Sequence, residues 1–179
     1  MTKSEVLLTQ SKYYPRALKG TFPTRPELFS VDPSKFDIRV GTRMDFSVVI
    51  SEGIQTVAAQ TQEHGREYSI MFYGEDTPYG FYFDNFYAQR ALKEGAYYTP
   101  KQKAWTEQCL ARRKGEVIYG HTHVAKGSVY NKFSLTDLHY YIKRSLETKR
   151  DVYAMLITKD GYTIIVYSYK EHEFFRILD

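Results

Sequence analysis

The sequence predicts an α+β domain, a sheet of mostly hairpin-linked strands with helices against it. Two periodicities and one turn predict it. Segments that alternate apolar and polar residues, such as Phe36-Asp37-Ile38-Arg39-Val40, read as strands. Segments whose apolar residues recur every three or four positions, such as Leu138, Tyr141, Ile142 and Leu146, read as helices. Lys159-Asp160-Gly161, set between two apolar runs, reads as a hairpin turn. The 17 tyrosines and 11 phenylalanines suit strands, and their spacing does not suggest a base-stacking surface.

Four of the six prolines, Pro15, Pro23, Pro26 and Pro33, fall before residue 40, beside Tyr13, Tyr14, Arg16 and Lys19. Residues 1–35 are therefore read as an irregular Pro-rich arm and residues 36–179 as the folded domain. The domain opens with a strand at 36–40, followed by a helix whose buried face carries Ile50, Ile54, Val57 and Ala58. A strand at 67–73 comes next. Gly80-Phe81-Tyr82-Phe83 pairs with it across Asp76, Thr77 and Pro78. Pro100 opens a helix that runs to about residue 113. Residues 115–120 form a strand leading into His121-Thr122-His123, and a helix begins at Ser134. Strands at 152–158 and 162–169 close the domain.

A chain of 179 residues fits one domain with a real core. The net charge of +4 is modest, and the short basic clusters at 112–114 and 143–150 read as solvated faces, so nucleic acid is not indicated. Cys109 is the single cysteine, which excludes an intramolecular disulfide and suits a reducing compartment. It lies in the helix expected after Pro100 without an evident activating base, and it reads as a packing residue rather than a nucleophile. No apolar run approaches the length of a membrane span, and the first residues do not lead into a signal-peptide core. A soluble, cytoplasmic protein is the expectation.

The chemistry concentrates between residues 121 and 137. Alternate residues of a strand project from one face, so His121 and His123 point the same way, with Cα atoms about 7 Å apart. Two imidazoles at that spacing can close on one ion, and neutral imidazole suits zinc. Asp137, in the first turn of the following helix, supplies a carboxylate. Two histidines and one carboxylate leave a tetrahedral position open, as in catalytic rather than structural zinc sites. Ser134-Leu135-Thr136-Asp137 also has the form of a capping box, which needs no metal.

The order of these parts resembles the JAB/MPN metalloprotease fold with its JAMM motif. Glu67-Tyr68-Ser69-Ile70-Met71-Phe72-Tyr73-Gly74 is similar to the family's glutamate strand, and His121-Thr122-His123 through Ser134 to Asp137 is similar to the remainder, over residues 40–169. Val124 stands where the family has proline, ten residues separate His123 from Ser134 instead of seven, and Ile70 replaces a small residue. The resemblance implies a JAB/MPN-like, cytidine-deaminase-like mixed sheet flanked by helices. It also implies one zinc per chain held by His121, His123 and Asp137, with Glu67 as general base and Ser134 as oxyanion donor. The implied reaction is hydrolysis of a peptide or isopeptide bond, with a peptide or a ubiquitin-like protein as substrate.

Glu63 and Glu75 are the rival bases, while His64, His139 and His172 read as surface or packing residues. Two other functions compete. Gly120-His121-Thr122-His123 matches the closing motif of calcineurin-like phosphoesterases, but their further ligand segments do not precede it here. A binding or scaffold module could keep the fold without turnover, although five polar groups around a site without work to do would cost stability.

Overall fold

The computed structural model of the protein describes residues 30–91, 115–125 and 129–178. The expected helix after Pro100, with Cys109, and most of the expected arm lie outside these residues. The chain runs β1 (Ser30–Val31), a 3-10 turn (Pro33–Lys35), β2 (Asp37–Arg39), β3 (Met44–Phe46), α1 (Val48–His64), β4 (Tyr68–Thr77) and β5 (Gly80–Arg90). It continues as β6 (Glu116–Thr122), β7 (Phe133–Ser134), α2 (Leu135–Thr148), β8 (Val152–Thr158), β9 (Gly161–Ser168) and β10 (Glu173–Ile177). Eight strands form a mixed sheet in the order β2-β10-β9-β8-β6-β4-β5-β3, in which β10/β2, β3/β5 and β6/β8 are parallel and the other neighbours antiparallel. The fold class is therefore α+β with a mixed sheet.

The two helices of the described residues cover opposite faces. α1 starts at Ser47, whose hydroxyl accepts the Ile50 N–H at 3.3 Å, and ends at Gly65 in the left-handed conformation (φ 64°) that glycine adopts without a Cβ penalty. Its stripe Ile50, Ile54, Val57 packs on Ile70, Phe72, Ile118, Met155 and Ile157. α2 packs Leu138, Tyr141, Ile142 and Leu146 on Val152, Ala154, Leu156, Ile165 and Tyr167. Strand β8 lies between the helices, so residues 152–157 are all buried and its sequence is continuously apolar rather than alternating.

Several elements differ from the sequence expectation. The glutamate strand does not turn at Gly74 but continues to Thr77, and Glu75 lies within it, exposed. Gly74 is there for space, because a Cβ would strike the Tyr82 carbonyl and the Phe83 ring. The register of β4 against β5 shifts at this point, pairing Tyr73 with Asn85 and Gly74 with Phe83, so Asp84 bulges out. β5 extends to Arg90 rather than stopping at Phe83. Residues 30–35, read as the end of the arm, join the domain: Ser30 pairs with Ser134 and Val31 with Phe133, and Pro33 is buried.

Candidate metal centre

Strand β6 carries His121 at its end, with Thr122 as its last residue and His123 immediately beyond. The two imidazoles lie on the α2 face of the sheet, with Nε2 atoms 3.0 Å apart. Gly120 lets the strand come close to β4, since a Cβ there would meet the Phe72 ring at 2.7 Å. Thr122 points to the other face and is fully buried. Its hydroxyl oxygen accepts the Tyr68 N–H at 2.8 Å and lies 2.6 Å from the Thr61 hydroxyl. Thr61 donates to the Val57 carbonyl at 2.7 Å, which leaves Thr122 to donate to Thr61. The residue between the histidines thus fastens β6 to α1 and to the residue following Glu67.

Asp137 arrives from the first turn of α2. Ser134 caps the helix by accepting the Asp137 N–H at 3.1 Å, and Asp137 Oδ2 accepts the Ser134 N–H at 3.3 Å, so the capping box is complete. The same Oδ2 lies 3.4 Å from His121 Nε2. Capping and metal ligation are therefore compatible roles of one carboxylate. Among the described residues, His121, His123 and Asp137 form a group whose ligand atoms all lie within 4.8 Å of one another. Zinc–ligand bonds of 2.0–2.1 Å at tetrahedral angles set ligand atoms about 3.3 Å apart. The separations of 3.0 and 3.4 Å lie within a few tenths of an ångström of that value, and the third pair, His123 with Asp137, lies within 4.8 Å. The residues present could hold a metal ion.

The proton arrangement suits such an ion. His123 Nδ1 lies 2.9 Å from the Tyr130 carbonyl, a pure acceptor, so Nδ1 carries the hydrogen and the Nε2 lone pair faces His121 and Asp137. Burial and the neighbouring His121 hold the His123 pKa down to about 4, against the opposing pull of Asp137 and Tyr130. Burial also disfavours charge on His121, but the Asp137 carboxylate, its hydrogen bond and Glu67 outweigh it and raise the His121 pKa. For Asp137, burial is outweighed by His121, Ser134 and His123, and the carboxyl is held down to about 2.

Glu67 immediately precedes β4, half-buried, with its carbonyl accepting the Ala91 N–H at 2.8 Å. Burial raises its carboxyl to about 7; His121 opposes the rise and Asp137 adds to it. A carboxyl poised there exchanges protons near neutral pH. The rival Glu63 is exposed on α1, as Glu75 is on β4; His64 and His172 are exposed as well, and His139 is half-buried on α2. All five residues singled out in the sequence, Glu67, His121, His123, Ser134 and Asp137, thus converge on one corner.

Other residues of this corner carried no sequence signal that placed them beside the ligands. Phe133, fully buried, sets its ring 5.8 Å from that of His121, edge to face, and Tyr141 packs against Phe133 at 6.2 Å. Tyr130 donates its hydroxyl to Asp160 Oδ2 at 2.7 Å and lies under Lys159 Nζ at 5.5 Å, which docks the loop after His123 onto the β8–β9 turn. Gln62 donates to the His123 carbonyl at 3.0 Å and accepts the Ala125 N–H at 2.9 Å. A loop tyrosine and a helix glutamine look solvated in sequence, and only the closed fold gives them these partners. No family model matches the chain, and no curated protein matches it.

Proposed function

We propose that the protein is a metal-dependent hydrolase of peptide or isopeptide bonds, built on a JAB/MPN-like fold, with one zinc ion per chain and a peptide or ubiquitin-like protein as substrate. The observation that carries this reading is the convergence of two imidazoles and a carboxylate, with ligand atoms within 4.8 Å of one another, beside a glutamate whose pKa is raised to about 7. His121 Nε2, His123 Nε2 and Asp137 Oδ2 would hold the ion, which supplies Lewis acidity toward water and toward a scissile carbonyl.

The chain's own groups divide the remaining work. Glu67, near half-ionised at neutral pH, takes a proton from the attacking water and returns it to the leaving amine, so the same carboxyl acts first as base and then as acid. Ser134 Oγ uses one lone pair for the Asp137 N–H and has a hydrogen to give to oxygen developing negative charge on the substrate. Asp137 stays ionised across the neutral range, and Tyr130 fixes the tautomer of His123. The Phe133 and Tyr141 rings form the apolar wall that limits water around these charges.

Glu67→Gln keeps the side chain's shape and removes its basicity. The variant and the wild type are both expected to bind one zinc per chain, read by elemental analysis, while hydrolysis of peptide and isopeptide substrates by the variant falls at least about a hundredfold. Wild-type turnover in that variant would remove Glu67 from the role of base. Zinc binding without turnover of any amide substrate by the wild type would favour a binding module.

A further inference from the structure

We infer that Gln62, on the last turn of α1, is a positioning residue that holds His123 in its ligating orientation, an inference that rests on the metal-site reading above. The ladder of β6 with β4 ends at the Ser69–His121 pair, and β6 itself ends at Thr122. His123 therefore stands just outside the regular sheet, where a backbone has freedom that a strand interior lacks. Its bonds come instead from two flanks. The His123 N–H goes to the Ile157 carbonyl of β8 at 3.0 Å, continuing the parallel ladder by one bond. The His123 carbonyl takes the Gln62 amide N–H at 3.0 Å, and the Gln62 amide oxygen takes the Ala125 N–H at 2.9 Å.

The fork has a chemical logic. A primary amide is the side chain that offers one donor and one acceptor in the plane and spacing of a peptide group, so Gln62 stands in for a neighbouring strand. Both of its bonds go to backbone atoms, which fixes the segment without demanding particular side chains at residues 124 and 125. Thr61, the preceding residue, ties the same turn of α1 to Thr122, so the helix grips β6 and the segment beyond it at consecutive positions. Tyr130 then fixes the far side of the imidazole through Nδ1. With its backbone held by Gln62 and Ile157 and its ring by Tyr130, His123 is restrained to one presentation of Nε2. Outer-shell groups bonded to a ligating imidazole, as the Tyr130 carbonyl is, typically govern metal affinity by 10- to 100-fold, and Gln62 holds the backbone from which that imidazole projects.

The test is Gln62→Met, which keeps length and approximate volume and removes both hydrogen bonds. Zinc affinity is read by competition with a chromophoric chelator, ligand geometry by the visible absorption of the cobalt(II)-substituted protein, and folding by thermal denaturation of the metal-free form. The expected result is at least a tenfold loss of zinc affinity and a cobalt spectrum altered from the wild-type tetrahedral signature, with a metal-free melting curve close to wild type. A helix residue that only packs would not alter the cobalt spectrum. Gln62→Glu, which keeps the acceptor for Ala125 and sets an oxygen against the His123 carbonyl, provides the second variant and is expected to lose affinity as well. Gln55→Met, on the same groove-lining side of α1, is the control that leaves both readouts unchanged. Wild-type affinity and spectrum in Gln62→Met and Gln62→Glu would overturn the assignment while leaving the metal site intact. Failure of the wild type itself to bind zinc or cobalt would overturn the site reading, and the assignment with it.

Discussion

The β8–β9 hairpin and the corner where β6 meets α2 sit side by side in the sheet, and their chemistry is opposite. In the hairpin, residues 152–157 and 164–168 are buried, nearly all apolar, and joined by a two-residue turn before Gly161 at φ 133°. Local preference, pattern and packing agree there. In the corner, Glu67, His121, His123 and Asp137 are crowded together, and burial works against the charged form of each. Burial wins at Glu67 and His123, whose charged forms are disfavoured, whereas the pairing of His121 with Asp137 outweighs burial and favours the charged form of both. The hairpin supports the fold, and the corner draws on that support.

The sharpest way to break this contrast is to damage the hairpin. Ile165→Ala, at a side chain 0% exposed, is expected to cost about 2–5 kcal/mol in denaturant unfolding, equally with zinc and with chelator. A zinc-dependent cost would mean that the two regions are not separable. Next in size is metal itself. Zinc at a thousandfold excess over its dissociation constant should raise wild-type stability by about 4 kcal/mol and leave Asp137→Ala without that gain. Equal melting temperatures with zinc and chelator in the wild type would remove the compensation on which the contrast rests.

The smallest effect is electrostatic and has a definite sign. The Glu67 carboxyl, raised from 4.5 to about 7 in the folded state, holds its proton more tightly there than in the unfolded chain. It therefore costs the metal-free fold stability that grows as pH rises from 4.5 and is complete above about 7. Glu67→Gln should exceed wild type by on the order of 1–2 kcal/mol at pH 8, the upper bound being reduced because water screens a half-buried group, and match it at pH 4. His123, lowered from 6.5 to about 4, acts in the opposite direction: the stability linked to its neutral form is present above 6.5 and is lost as pH falls toward 4. Parallel pH profiles of wild type and Glu67→Gln in chelator would show that Glu67 is not buried at a cost.

Much of this was legible in the sequence, and the reasons are local. Both helices announce themselves through stripes at helical spacing, and the cap at Ser134 through its own residue and Asp137 three positions on. The β8–β9 hairpin follows from turn chemistry between apolar runs. His121 and His123 share a face because strand geometry requires it. The strands β1, β3 and β7, of two or three residues each, are too short to carry a period, and pairing with distant partners defines them. The extension of β4 past Gly74 was hidden because glycine reads as a break, whereas here it makes room for the Phe83 ring. Gln62, Thr122 and Tyr130 acquire their roles only by contact with segments remote in sequence, which periodicity does not reveal.

The two-residue ladder of β1 with β7 has a mechanical consequence. Ser30 and Val31 belong to their own small sheet and pair only with Ser134 and Phe133 among the described strands. A displacement of Ser30 therefore reaches the residue that caps α2 across a single strand pair, and a displacement of Val31 reaches the aromatic ring beside His121 in the same way.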